Sequence, residues 1–184
     1  MPKPPAAENP VSLAKVLSEL EAAQKAGVLD RYAVGGAVGA TFYIEPAATE
    51  TVDIFIAMIP KPGSILEILD PLYSFFKARG ATVEGERLVI GGWLVQLLPP
   101  PTDLVAEALD QARPMEVEGV TVPVFKQEHL AAIALETNRP KDKLRLQQFV
   151  ESPSLDVDAF HALIERFGLQ QRWMRMKALL EESE

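Results

Sequence analysis

YAVGGAVGATFYIEPAATETVDIFIAMI, running from Tyr32 to Ile59, is the stretch whose reading decides the fold. The apolar run Tyr32 to Val34 predicts a strand, Gly35-Gly36 break it, Ala37 to Tyr43 predicts a helix, and the β-branched run Thr51 to Ile59 predicts a second strand. Two glycines directly after a strand let the backbone approach a ligand and leave the next helix's N–H groups free to face an anion such as a phosphate. The same pair is also an ordinary tight turn between strand and helix. Along the second strand, residues two apart share a face, so Thr49, Thr51 and Asp53 point one way while Glu50, Val52 and Ile54 point the other. Asp53, set among Val52, Ile54, Phe55 and Ile56, is costly to bury without a partner. A metal or ligand, solvent at a strand end, or an ion pair with Lys141 or Arg139 would each answer that cost.

Upstream, Met1 to Pro10 holds four prolines and reads as a loosely attached arm. From Val11 the spacing of Leu13, Val16, Leu17 and Leu20 predicts an amphipathic helix ending before Gly27. Downstream, Lys61 to Gly63 reads as a turn and Ile65 to Arg79 as helix, with Asp70-Pro71 marking a restart. Three strands follow, Thr82 to Glu84, Leu88 to Ile90 and Trp93 to Leu98, the last two joined by a Gly91-Gly92 hairpin turn. Thr102 to Ala112 reads as helix and Val117 to Phe125 as a β segment turning at Gly119. From Lys126 the pattern changes to four helices, Gln127 to Thr137, Lys141 to Glu151, Val157 to Phe167 and Gln170 to Glu182. The expected fold class is therefore α/β (α+β): a mixed sheet flanked by helices over residues 11–125, then a C-terminal helical region, 126–184, packed on it. A cleft between the two parts is the natural place for a ligand.

Across 184 residues, 48% are hydrophobic and the formal net charge is −8, with a pI near 4.9 and a mean hydropathy of +0.07. That content supplies a core, and the charge argues against non-specific coating of nucleic acid. With no cysteine there is no disulfide, thiolate metal site or thiol nucleophile. No apolar run approaches bilayer length and the N-terminus has no signal-peptide core, so no membrane partner is expected and the location is read as cytoplasmic. His129 and His161 lack metal-type spacing and read as structural, as Trp93 and Trp173 read as packing residues. Nucleophile-elbow, P-loop, zinc-peptidase and Rossmann glycine patterns are absent.

A glycine pair, a short helix and then T-x-D-[IV]-D-[IVL]-F on a strand resembles the minimal nucleotidyltransferases of the DNA polymerase β superfamily, especially bacterial toxin-type and uncharacterised members. Gly35-Gly36 match the glycine pair, Thr49 the leading threonine and Asp53 the second aspartate, while Thr51 stands where the first aspartate belongs. The likeness extends over most of the chain, since Glu128 to Leu146 looks like the family's helix and R-x-K-D helix start, with Arg139, Lys141 and Asp142 matching. The resemblance implies Mg²⁺ held by carboxylates, about 4 Å apart where two ions are used, around a nucleoside triphosphate. It makes Asp53 a catalytic metal ligand, and Gly35, Gly36, Thr49, Thr51, Arg139 and Lys141 nucleotide-binding. The third carboxylate would sit mid-strand where this chain has Gln96, and Glu136 replaces a lysine common in relatives. Glu45, Glu50, Glu84 and Glu86 are nearby candidates to replace a lost ligand.

Two functions follow. With Thr51 and Gln96 neutral, the leading one is a weakly active or inactive member acting as a nucleotide-binding or protein-interaction module. The other is an active Mg²⁺-dependent enzyme moving a nucleotide from an NTP to a hydroxyl of tRNA, protein or a small molecule.

Overall fold

The computed structural model describes residues 13–46, 49–57 and 65–181, with side chains left out at 65–68, 180 and 181. The expected N-terminal arm and the Lys61–Gly63 turn lie outside the described residues. Helix α1 (Leu13–Lys25) leads into β1 (Arg31–Val34), α2 (Gly36–Ala40) and β2 (Thr51–Ala57). Then come α3 (Ile65–Ala78), β3 (Thr82–Glu84), β4 (Arg87–Ile90), β5 (Trp93–Leu98), α4 (Asp103–Asp110), β6 (Arg113–Val117) and β7 (Val120–Val124). Four helices finish the described chain: α5 (Gln127–Thr137), α6 (Pro140–Glu151), α7 (Val157–Arg166) and α8 (Gln170–Glu181).

The strands form one seven-stranded mixed sheet in the order β3-β4-β5-β2-β1-β7-β6. β2 lies at its centre, antiparallel to β1 and parallel to β5. Its alternation sets the layers. Val52, Ile54 and Ile56 are fully buried with Val95 and Leu97 of β5, Leu88 and Ile90 of β4, and the apolar stripes of α1 (Val16, Leu17, Leu20) and α3 (Leu72, Phe76). Thr51, Asp53, Phe55 and Ala57 take the other face, where Phe55 joins a second core containing Leu104 and Val105 of α4, Leu130 and Leu135 of α5, Phe149 of α6 and Phe160 of α7. The C-terminal helices thus share a core with the sheet face that carries Asp53. Trp93 packs on the first core and Trp173 on the second, where it meets Phe160 edge-on at 5.3 Å.

Three expectations need correction. Ile65–Ala78 is one continuous helix with Pro71 inside it, on its exposed face, rather than a helix restarted at Asp70-Pro71. The α2 helix stops at Ala40, and Thr41 to Tyr43 continue as turn. The segment after α4 forms an additional strand, β6, so that the predicted β segment is the second half of a hairpin turning at Glu118-Gly119. β6 is a short edge strand in which Met115 and Val117 pack on the first core while Pro114 and Glu116 are exposed, and an edge tolerates Pro114. The Gly91-Gly92 hairpin is as expected, with φ of 56° and 86° at its two turn residues.

Candidate functional site

Between the charged face of the sheet and helices α5 and α6 lies a cavity of about 740 Å³, within the size range of small-molecule sites. Its sheet wall is built by register. Asp53 of β2 pairs with Gln96 of β5. In the antiparallel β4–β5 ladder Leu88 faces Val95 and Ile90 faces Trp93, which sets Arg87 opposite Gln96. Residues directly across a ladder share a face. Asp53, Gln96 and Arg87 therefore form one row across three strands, and all three line the cavity together with Thr49 and Thr51. Phe55 and Phe125, ring centroids 4.8 Å apart, give the cavity an apolar back wall.

The glycine pair is explained by its neighbours on β2. A Cβ on Gly35 would come within 2.6 Å of the Phe55 ring, and one on Gly36 within 2.1 Å of an Asp53 carboxylate oxygen. Gly36 also has φ of +56°, a region that favours glycine. The Gly35 N–H donates to the Asp53 carbonyl (3.1 Å), locking the turn to the strand. Gly36 lines the cavity, while Gly35 is tucked against Phe55 and Phe125. The Thr49 hydroxyl closes a local turn, donating to the Thr51 carbonyl (3.0 Å) and accepting from the Thr51 N–H (3.3 Å).

The helix wall is organised by Asp142, which is buried. Its carboxylate accepts from Thr137 Oγ1 (2.8 Å), Arg139 Nε (2.5 Å) and Nη2 (3.3 Å), and Arg145 Nη1 (3.3 Å). Burial pushes its pKa up, but the hydrogen bonds from Arg139 and Thr137 more than offset this and leave it below the ordinary value. Lys141 is exposed at the first turn of α6 and, among the described residues, forms no ion pair. Glu136 lines the cavity too, accepting from Thr102 Oγ1 (3.1 Å), so its carboxylate is tied to the start of α4.

Asp53 has the opposite surroundings. Among the described residues nothing donates a hydrogen bond to its half-buried carboxylate, and Lys141 and Arg139 face it without pairing directly. Burial raises its pKa, and the fields of Lys141, Arg139, Arg145 and Arg87 counter that only in part. Glu45, Glu50, Glu84 and Glu86 are exposed and are not among the cavity-lining residues. Among the described residues no three of His, Cys, Asp and Glu group to hold a metal. His129 is buried against Glu107 (3.2 Å), its pKa lowered by burial against the opposing pull of Glu107, while His161 sits exposed beside Trp173.

A search of solved structures finds an antigenic nucleotidyltransferase-like protein from Paracoccidioides brasiliensis with a TM-score of 0.53 and 16% identity, covering 92% of this chain and 94% of that one. This chain has a nucleotidyltransferase-like fold. The antibiotic-resistance factor ANT(2'')-Ia also matches, at 16% identity and a TM-score of 0.44 over 91% of each chain. Its complex with adenylyl-2''-tobramycin matches at 15% identity and a TM-score of 0.43, covering 92% of this chain and 97% of that one. No protein-family model and no curated protein matches. Within this nucleotidyltransferase-like fold, the structure brings Gly36, Thr49, Thr51, Asp53, Arg139 and Lys141 to one cavity. Sequence reasoning missed Arg87 and Arg145. Arg87 was within reach, because a two-residue turn at Gly91-Gly92 dictates which residue of β4 faces Gln96.

The oxygen donors on the sheet wall are one carboxylate (Asp53), one amide (Gln96) and hydroxyls (Thr49, Thr51), with four cations around them. That set does not fit the two-ion centre that the fold family implies: two dications call for several anionic oxygens, and guanidinium groups repel them.

Proposed function

We propose that this chain is a nucleotide-binding member of the nucleotidyltransferase fold in which nucleotidyl transfer is weak or lost. The observation that carries the reading is the row Asp53–Gln96–Arg87, with Thr51 beside it: two of the three positions that would hold acidic metal ligands are neutral, and the row ends in a cation. A cavity with an apolar back wall and basic rims suits a nucleoside triphosphate, its base or ribose towards Phe55 and Phe125 and its phosphates towards Arg87, Arg139 and Lys141. In this reading residues 11–125 are the nucleotide-binding domain and 126–184 a helical region that completes the cavity. A protein partner remains compatible with an interaction role.

The competing activity is Mg²⁺-dependent transfer of a nucleotide to a hydroxyl of tRNA, protein or a small molecule, with Asp53 as catalytic ligand. It draws on the fact that Asp53 has no hydrogen-bond or ion-pair partner among the described residues and is poised against Gly36. Calorimetric titration of ATP, GTP, CTP and UTP, together with pyrophosphate release in the presence of Mg²⁺ and candidate acceptors, separates the two. Nucleotide binding with no pyrophosphate above the level of an Asp53→Ala variant is the expected result. Mg²⁺-dependent release abolished by that substitution would establish the enzyme instead.

A further inference from the structure

The cations of the cavity fall into two classes. Arg139 and Arg145 are both committed to Asp142. Arg87 and Lys141 are exposed at the rim and, among the described residues, pair with no carboxylate. This holds even though Glu84 faces Arg87 directly across the β3–β4 ladder. One free cation stands on the sheet wall and the other on the helix wall, and the field of each reaches Asp53 between them. In a chain of net charge −8 the cavity carries four cations against three carboxylates, Asp53, Glu136 and Asp142, and this local positive excess lies where the fold's metal ions would be expected.

We infer that Arg87 and Lys141 bind the phosphates of the ligand directly, in the role that divalent cations have elsewhere in this fold, so that the species recognised here is the metal-free polyphosphate anion of a nucleotide. This rests on the nucleotide-binding reading and adds the form of the ligand and the residues that hold it. The chemistry is self-consistent. A Mg²⁺–nucleotide complex carries its own dication, which Arg87 and Lys141 repel and which halves the charge of the triphosphate, whereas a bare polyphosphate keeps its full charge and gains charge-assisted hydrogen bonds from both walls. Arginine on β4 offers a planar fork for two phosphate oxygens, and lysine on α6 a point charge. Asp53 opposes the anion. Its carboxylate sits half-buried against Gly36 while Arg87 and Lys141 are exposed, and Glu136, held at the start of α4 by Thr102, is a second opposing charge.

The test is calorimetry on the full chain with ATP and inorganic tripolyphosphate, in EDTA and in excess Mg²⁺, for the wild type, Arg87→Ala and Lys141→Ala. The expected result is binding of both ligands in EDTA at least as tight as in Mg²⁺. Each substitution then weakens that binding by roughly tenfold or more while leaving the melting temperature unchanged, since neither side chain makes an ion pair among the described residues. ATP binding that requires Mg²⁺, or that is indifferent to both substitutions, overturns the inference and leaves the nucleotide-binding reading standing. Absence of binding by all four nucleoside triphosphates in either condition overturns both.

Discussion

Asp53 and Asp142 are two carboxylates on the walls of one cavity, and their surroundings could hardly differ more. Asp142, on α6, is buried and accepts from three side chains, which hold its pKa below the ordinary value despite burial. Asp53, on β2, is half-buried, accepts nothing from the described residues, and is pushed up by burial. Asp142 has been solved as structure: it fixes Arg139 and Arg145 and ties the start of α6 to the end of α5 through Thr137. Asp53 is left as an unanswered charge whose position is enforced by the glycine beneath it. A polar group that the fold satisfies internally is part of the scaffold, whereas one that the fold positions and leaves unsatisfied is available to a ligand.

The sharpest way to break this contrast is to remove the scaffold carboxylate. Asp142→Ala strands two arginines beside a buried hole and should cost about 3 kcal/mol, lowering the melting temperature by roughly 10 °C. Thermal unfolding checks it. A loss as small as that of a surface residue would mean that Asp142 is not the organiser of the helix wall.

Gly36→Ala tests the enforcement of Asp53. Alanine there meets both an unfavourable positive φ and the Asp53 carboxylate, for a combined loss of about 2 kcal/mol. Combined with Asp53→Ala, only the backbone part should persist, so the double variant recovers about half of the loss. Strict additivity in denaturant titration would show that the close approach carries no energy.

The smallest effect has the opposite sign. Asp53→Asn keeps the shape and removes a charge that has no partner among the described residues, and should stabilise the free protein by about 1 kcal/mol at neutral pH. A carboxyl whose folded-state pKa is raised binds protons more readily when folded, so its ionisation costs stability above that pKa. The cost disappears as the pH falls below the unfolded value, and the advantage of asparagine should vanish by about pH 4. Asp142, with its pKa lowered, behaves oppositely: its contribution is full above the unfolded value and is lost as the pH falls through the folded one. Stability curves of the two variants against pH should therefore show Asp53→Asn converging with the wild type on acidification from above, and Asp142→Ala converging from below.

Much of this was legible in the chain. The phase of β2, with Val52, Ile54 and Ile56 on one side and Thr51 and Asp53 on the other, follows from a period of two that residue types alone display. The boundaries of α5 to α8 follow from the 3.6-residue period punctuated by Asn138, Pro153 and Gly168. These are local properties, set by backbone geometry and by which side chains avoid water. The edge strand β6 escaped because five residues with a proline among them and only Met115 and Val117 turned inward make a weak β signal, and continuous helix at Pro71 escaped because its cost depends on what surrounds it. The meeting of Arg87 with Gln96 and Asp53, the capture of Arg139 and Arg145 by Asp142, and the freedom of Lys141 belong to the tertiary structure. Charge pairing depends on distances between segments far apart in sequence, and only the packing of α6 against the sheet brings those segments within one another's fields.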